Sequence, residues 1–142
     1  MRVEHADLTA ATQIAIDAWN AKLELTCPGV SLTLVNGDVE ADITVRWGSL
    51  PAGYRDRLAC EQDGEITMNR AQYTEQNTAK TARGRPLYTY EAALQHELGH
   101  AMGAEHSGSR EDAMYPKTYP GPAPELSTHD VWTVCQANDG LP

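Results

Sequence analysis

The residues from His96 to His106 read HELGHAMGAEH, and no other stretch of the 142 constrains the fold as strongly. They fit the pattern H-E-x-x-H-x-x-G-x-x-H. His96 and His100 stand at i and i+4, so on a helix they lie one turn apart on one face, and both imidazoles can reach one metal ion at about 2.0–2.1 Å. Glu97 follows the first histidine and projects beside the ion, where it can accept a proton from a water activated there. Gly103 is where the helix must stop. A left-handed residue turns the chain sharply at that point, and glycine adopts this conformation with no Cβ penalty. The turn brings His106 back as a third ligand. Three protein ligands leave the fourth position of a zinc ion open, which marks a catalytic rather than a structural site. A His-Glu-x-x-His pair alone would also suit an ordinary surface helix. The added glycine and third histidine argue against that, and Glu97 argues against a metal held for structure only.

The rest of the chain reads as one α+β domain. Asp7 or Thr9 can cap a first helix, in which Ile14, Ala18, Ala21 and Leu25 recur at helical spacing with Ala15 and Trp19 beside them. Cys27-Pro28-Gly29 ends it. Val30, Leu32 and Leu34 alternate with polar residues and predict a strand closed by Asn36-Gly37; Ala41, Ile43, Val45 and Trp47 predict another. Leu58 to Gln62 and Glu65 to Asn69 flank Asp63-Gly64, a hairpin signal. Asn77 to Pro86 is polar and basic and reads as an exposed connection. Thr89 can cap the helix carrying the histidines, with Glu91 in its first turn and Ala92, Ala93, Leu94, Leu98 and Ala101 as its packing residues. Pro120-Gly121-Pro122-Ala123-Pro124 is a stiff loop leading to a final helix. Neither repeats nor a second domain are visible.

Ser107 follows the third histidine, and Met114 stands eight residues beyond it in Asp112-Ala113-Met114-Tyr115-Pro116. With these residues the chain resembles the metzincin metallopeptidases and, within them, the matrixins of the matrix metalloproteinase clan. Ala41-Asp42-Ile43-Thr44-Val45, Asp63 to Asn69 and Leu126 to Val131 resemble, in order, a matrixin strand, the strand preceding the linker to the active-site helix, and the start of the C-terminal helix. The resemblance implies a metzincin-like fold: a twisted mixed sheet with an antiparallel edge strand, packed on an N-terminal and an active-site helix. A C-terminal helix would follow a Met-turn. It implies an upper part near residues 1–103 and a lower part near 104–142. Met114 would form an apolar floor under the three imidazoles. The edge strand, with Leu58, Ala59 and Cys60, would pair with an extended peptide, and Tyr115, Pro116 and Tyr119 would wall the pocket for the residue after the cleaved bond. Pro116-Lys117-Thr118-Tyr119 is one residue longer than the family's Pro-x-Tyr, and Pro116 stands where astacin-like relatives carry a metal-binding tyrosine. The short stretch from Gly48 to Arg57 contains no histidine and one aspartate, Asp56, so neither a second zinc nor a structural calcium is expected.

The implied activity is zinc-dependent endopeptidase action on proteins or peptides, with Glu97 as general base. A domain that holds zinc and binds peptide without cleaving it, and hydrolysis of another amide such as one in a cell wall, use the same motif. A net charge of −9 argues against nucleic acid or an anionic membrane as partner, and no apolar run approaches spanning length. A secreted monomer is expected, with a leader either absent or already removed. His5 and His129 are expected at the surface or at caps. Three cysteines, Cys27, Cys60 and Cys135, leave two readings open: a Cys27–Cys135 bridge tying down the C-terminus, or three reduced thiols.

Overall fold

In the computed structural model of the chain, the residues described are 2–3, 6–35, 40–50, 59–69, 78–80, 86–116 and 125–139. Among them the order is β1 (Arg2–Val3), α1 (Ala6–Thr26), β2 (Thr44–Gly48), β3 (Ala59–Gln62), β4 (Glu65–Asn69), β5 (Thr78–Lys80), β6 (Pro86–Tyr88), α2 (Thr89–Ala101) and α3 (Thr128–Asp139). The class is α+β, as the sequence predicts. One mixed sheet has the order β1-β2-β4-β3, and β5 and β6 form a separate antiparallel pair. β2 runs parallel to both β1 and β4, while β3 lies antiparallel to β4 at the sheet edge, from Ala59↔Met68 to Gln62↔Glu65. The β3–β4 turn has φ 51° at Asp63 and 83° at Gly64, the two positive values of a type I′ hairpin.

The core lies between the sheet and the helices. α2 packs on α1, β3 and β4, and α3 packs on α1. Leu23, Ile66, Met68, Leu94, Leu98 and Met114 are buried in one cluster with Trp19, which has no exposed surface. The Trp19 indole N–H donates to the carbonyl of Gln95 at 2.9 Å. That carbonyl belongs to the residue before His96, so α1 holds the metal-site helix next to its first ligand. A disulfide joins Cys27, just past α1, to Cys135 within α3, with their Cα atoms 5.9 Å apart and a sequence separation of 108. Of the two cysteine readings the bridged one holds, and Cys60 stays outside it.

Several sequence expectations need correction. The buried face of α1 is Leu8, Ala11, Thr12, Ala15, Ile16, Trp19 and Leu23, whereas Ile14 and Leu25 of the expected stripe are exposed at 52% and 85%. Both stripes are apolar, but the buried one carries Trp19, whose large surface and N–H are both satisfied inside. α1 starts at Ala6, so Asp7 and Thr9 lie within it rather than capping it. Residues 30–34 form no ladder. Instead the Leu32 N–H donates to Asn20 Oδ1 and the Leu32 carbonyl accepts from Asn20 Nδ2, each at 2.8 Å. One side chain thus satisfies backbone groups that would otherwise need a strand partner. Val30, Leu32 and Leu34 still pack on the core, and only Val35 makes an isolated bridge. The predicted connection at 77–86 contains β5 and the start of β6. β1 had no counterpart in the sequence reading. Asn36-Gly37, most of the short stretch before Leu58, and the loop at 120–124 lie outside the described residues.

Thr12 is wholly buried in α1, and its hydroxyl has no hydrogen-bond partner among the described residues. A buried polar group left unmatched retains its desolvation cost. Thr12→Val keeps the shape and removes that cost, so urea denaturation should show a gain of about 1 kcal/mol. An unchanged or lowered stability would show that the hydroxyl is satisfied.

Candidate metal centre

α2 ends as the motif demands. The Met102 N–H reaches the Leu98 carbonyl at 3.0 Å, the Gly103 N–H reaches His100 at 2.9 Å, and the Ala104 N–H reaches Gly99 at 2.8 Å. Gly103 has φ 101°. Space there is limited as well, since a Cβ on Gly103 would stand 2.7 Å from the Ala137 Cβ of α3. Beyond this turn His106 joins His96 and His100, and ligand-capable nitrogens of all three lie within 4.8 Å of one another.

The Nε2 atoms of His96 and His100 are 3.1 Å apart. Two nitrogens each 2.0–2.1 Å from one tetrahedral ion would stand roughly 3.3 Å apart, so the pair fits a shared zinc. The other side of each ring shows why both face inward. His96 Nδ1 meets the Ala113 carbonyl at 2.8 Å, and His100 Nδ1 meets the Ala104 carbonyl at 2.9 Å. A carbonyl can only accept, so each Nδ1 carries the proton and each Nε2 presents a lone pair to the common point. Burial pushes the His96 pKa down to about 4; His100 and His106 add to the shift, against the Ala113 hydrogen bond and the Asp130 carboxylate. His96 is therefore neutral near pH 7, the form that binds a metal.

The segment after His106 is closed at its neck by the Ser107 N–H donating to the Met114 carbonyl at 2.9 Å. Inside it the Ser107 hydroxyl donates to Asp112. Burial opposes ionisation of that carboxyl, but hydrogen bonds from Ser107 and Ser127, with His129 nearby, outweigh it and hold the group below the usual carboxylate range. Asp130, wholly buried in the first turn of α3, accepts from the N–H groups of Ala113 at 2.8 Å and Met114 at 3.2 Å. It also exchanges hydrogen bonds with Ser127, accepting from its N–H at 2.9 Å while its own N–H reaches the Ser127 hydroxyl at 3.1 Å, as in a capping box. One carboxylate thus starts α3 and fixes the peptide whose carbonyl accepts the hydrogen bond from His96 Nδ1. Met114 is buried against Gly99: a Cβ on Gly99 would collide with the Met114 sulfur and stand 3.1 Å from Trp19 Cζ2.

The fold therefore brings together His96, His100 and His106, with Glu97 half-buried beside the first, Gly103 at the turn and Met114 packed under α2. Ala59 and Cys60 lie on the edge strand β3, and Tyr115 and Pro116 follow Met114. Leu58 and Tyr119, also expected at the pocket, lie outside the described residues, as does His5; His129 is exposed on α3. Sequence reading missed Gly99, Asp130 and the two carbonyls. Two signals were available. A mid-helix glycine costs about 1 kcal/mol against alanine and implies close packing. Ser127-Thr128-His129-Asp130 is a capping-box pattern.

The low His96 pKa gives the metal-free protein a defined pH dependence. An unfolded histidine titrates near 6.5, so between there and about 4 the folded protein binds fewer protons than the unfolded chain. Stability should fall as pH drops through this window, by up to about 3 kcal/mol from this group. Urea midpoints measured at pH 6.5 and 4.5 should fall further for the wild type than for His96→Gln. Equal falls would contradict the assigned burial and hydrogen bond.

The family model described as Matrixin matches residues 1–137. No curated relative matches the chain. The matched span contains both sheets, α1, α2 and nearly all of α3, together with the three histidines, Gly103 and Met114. The family implies a zinc-dependent endopeptidase acting on protein or peptide substrates, which suits three converging imidazoles. From the sheet edge to the capped third helix, the chain belongs to the matrixin family.

Proposed function

We propose that this domain is an endopeptidase in which His96, His100 and His106 hold a single catalytic zinc and Glu97 is the general base. The observation that carries the reading is the convergence of three imidazoles, two with their tautomers set by backbone carbonyls. Zinc, when bound at such a site, supplies Lewis acidity that polarises a carbonyl and acidifies water. Glu97 directly follows the first ligand on α2, so its carboxylate stands beside the centre, ready to take a proton from the attacking water and return it to the leaving amine. Gly103 sets the turn that delivers His106, and Met114 is the floor of the site, serving as the Met-turn residue.

An extended substrate adds a strand to the outer edge of β3, where Ala59 and Cys60 present the backbone and Leu58 precedes them. The segment from Tyr115 through Pro116 to Tyr119 walls the pocket beyond the cleaved bond. The substrate cleft divides an upper part, residues 1–103, from a lower part, residues 104–142. One zinc is sufficient in this account, without calcium or a second zinc. The enzyme acts as a secreted monomer; the Cys27–Cys135 bridge supports an oxidising compartment. No helix among the described residues is long and apolar enough to cross a membrane.

Glu97→Ala separates metal binding from chemistry. Zinc content should stay at the wild-type level, while cleavage of a quenched peptide library falls by about 10²-fold or more. Full proteolysis by this variant would refute the role of Glu97. A wild-type protein that binds zinc yet cleaves no peptide would refute the endopeptidase reading.

A further inference from the structure

α3 touches the metal centre from both of its ends. At its start, Asp130 accepts from the Ala113 and Met114 N–H groups, and the Ala113 carbonyl accepts a hydrogen bond from His96 Nδ1. Near its end, the Asn138 amide donates to the Met102 carbonyl at 2.7 Å, and Ala137 stands against Gly103, where the chain turns towards His106. Cys135 lies between these two groups, with no exposed surface. Its partner Cys27 follows directly on α1, the helix that holds α2 through Trp19 and the Gln95 carbonyl. Two connections therefore run from α1 to the centre. Trp19 places the helix bearing His96 and His100, and the disulfide places the helix that positions the second side of His96 and the turn before His106.

A helix of this length has little stability of its own in water, so its hold on the site depends on what anchors it. Burial of Val131, Val134 and Leu126 supplies part of that anchor. Such burial leaves α3 able to lift and settle as a unit in local opening. A covalent tie at Cys135, within about one and a half turns of Asp130 and less than one turn of Asn138, suppresses that opening where the site depends on it.

We propose that the Cys27–Cys135 disulfide is a positioning element of the metal centre: by fixing α3 on α1 it sets how tightly zinc is held. The proposal rests on the metal-centre reading given above and is independent of which bond the enzyme cuts. It differs from a general stapling role in what it moves. A staple acts through the unfolded chain and shifts all of the deeply protected amides together. A positioning bridge acts within the folded state, on the amides held by Asp130. Groups that orient a metal ligand commonly change metal affinity by about 10–100-fold when removed.

The test is the double variant Cys27→Ala/Cys135→Ala in the full chain, compared with wild type under native conditions. In the metal-free proteins, hydrogen exchange at the Ala113 and Met114 amides is measured against that at Val45 and Ile66. Zinc affinity is measured by competition with a chromophoric chelator. Exchange at Ala113 and Met114 should rise at least about tenfold more than at Val45 and Ile66, and zinc affinity should fall about 10–100-fold. Adding Thr12→Val, on α1, supplies a more stable background for the same comparison if the double variant folds poorly. Equal acceleration at all four amides with unchanged zinc affinity would overturn the proposal. A wild-type protein that binds no zinc would overturn both this proposal and the metal-centre reading; wild-type binding with unchanged variant affinity overturns this one alone.

Discussion

The hydrogen bond from His96 Nδ1 to the Ala113 carbonyl is the constraint on which the site depends. A neutral imidazole binds a metal through the nitrogen that lacks the proton, and a carbonyl beside the other nitrogen fixes where that proton sits. Ala113 lies 17 residues beyond His96, so the helix and the later segment must be placed independently and then brought into register. Asp130 does this by holding the amides of Ala113 and Met114 while capping α3. His100 needs no such help, because its acceptor, Ala104, lies four residues away in the turn that ends α2.

Around this contact the fold works as a frame with α1 at its centre. Trp19 sets α2 through the Gln95 carbonyl, the disulfide reaches α3 from the end of α1, and the small volume of Gly99 lets Met114 and Trp19 close in from opposite parts of the chain. The sheet serves this frame by giving α2 a surface against β3 and β4, with β3 left at the edge. The cost of concentrating three imidazoles in a partly buried site appears as the depressed pKa of His96, which keeps the ring neutral at the expense of stability in acid.

Much of this was legible in the sequence wherever the signal is local. The spacing of His96, His100, Gly103 and His106 dictates a helix, its end and a converging triad, and Asp63-Gly64 dictates a hairpin. What was not legible depends on distant partners. α1 carries two apolar stripes, and only the partner for the Trp19 N–H, 76 residues away, decides which one is buried. The alternating residues at 30–34 look like a strand until Asn20 takes up the backbone groups of Leu32. A two-residue strand such as Arg2–Val3 has no period to detect, and three cysteines do not by themselves disclose their pairing. Asp130 was within reach as a capping-box residue, but its second role, on the peptide behind His96, becomes visible only once α3 is placed.

The most direct measurement of the central claim is X-ray absorption spectroscopy on zinc-loaded protein with the stoichiometry determined in parallel. The converging triad predicts one zinc per chain with three imidazole nitrogens and one further light-atom ligand at about 2.0–2.1 Å. It also predicts that His106→Ala reduces the imidazole count by one. A sulfur ligand near 2.3 Å, or an imidazole count unaffected by loss of His106, would contradict it.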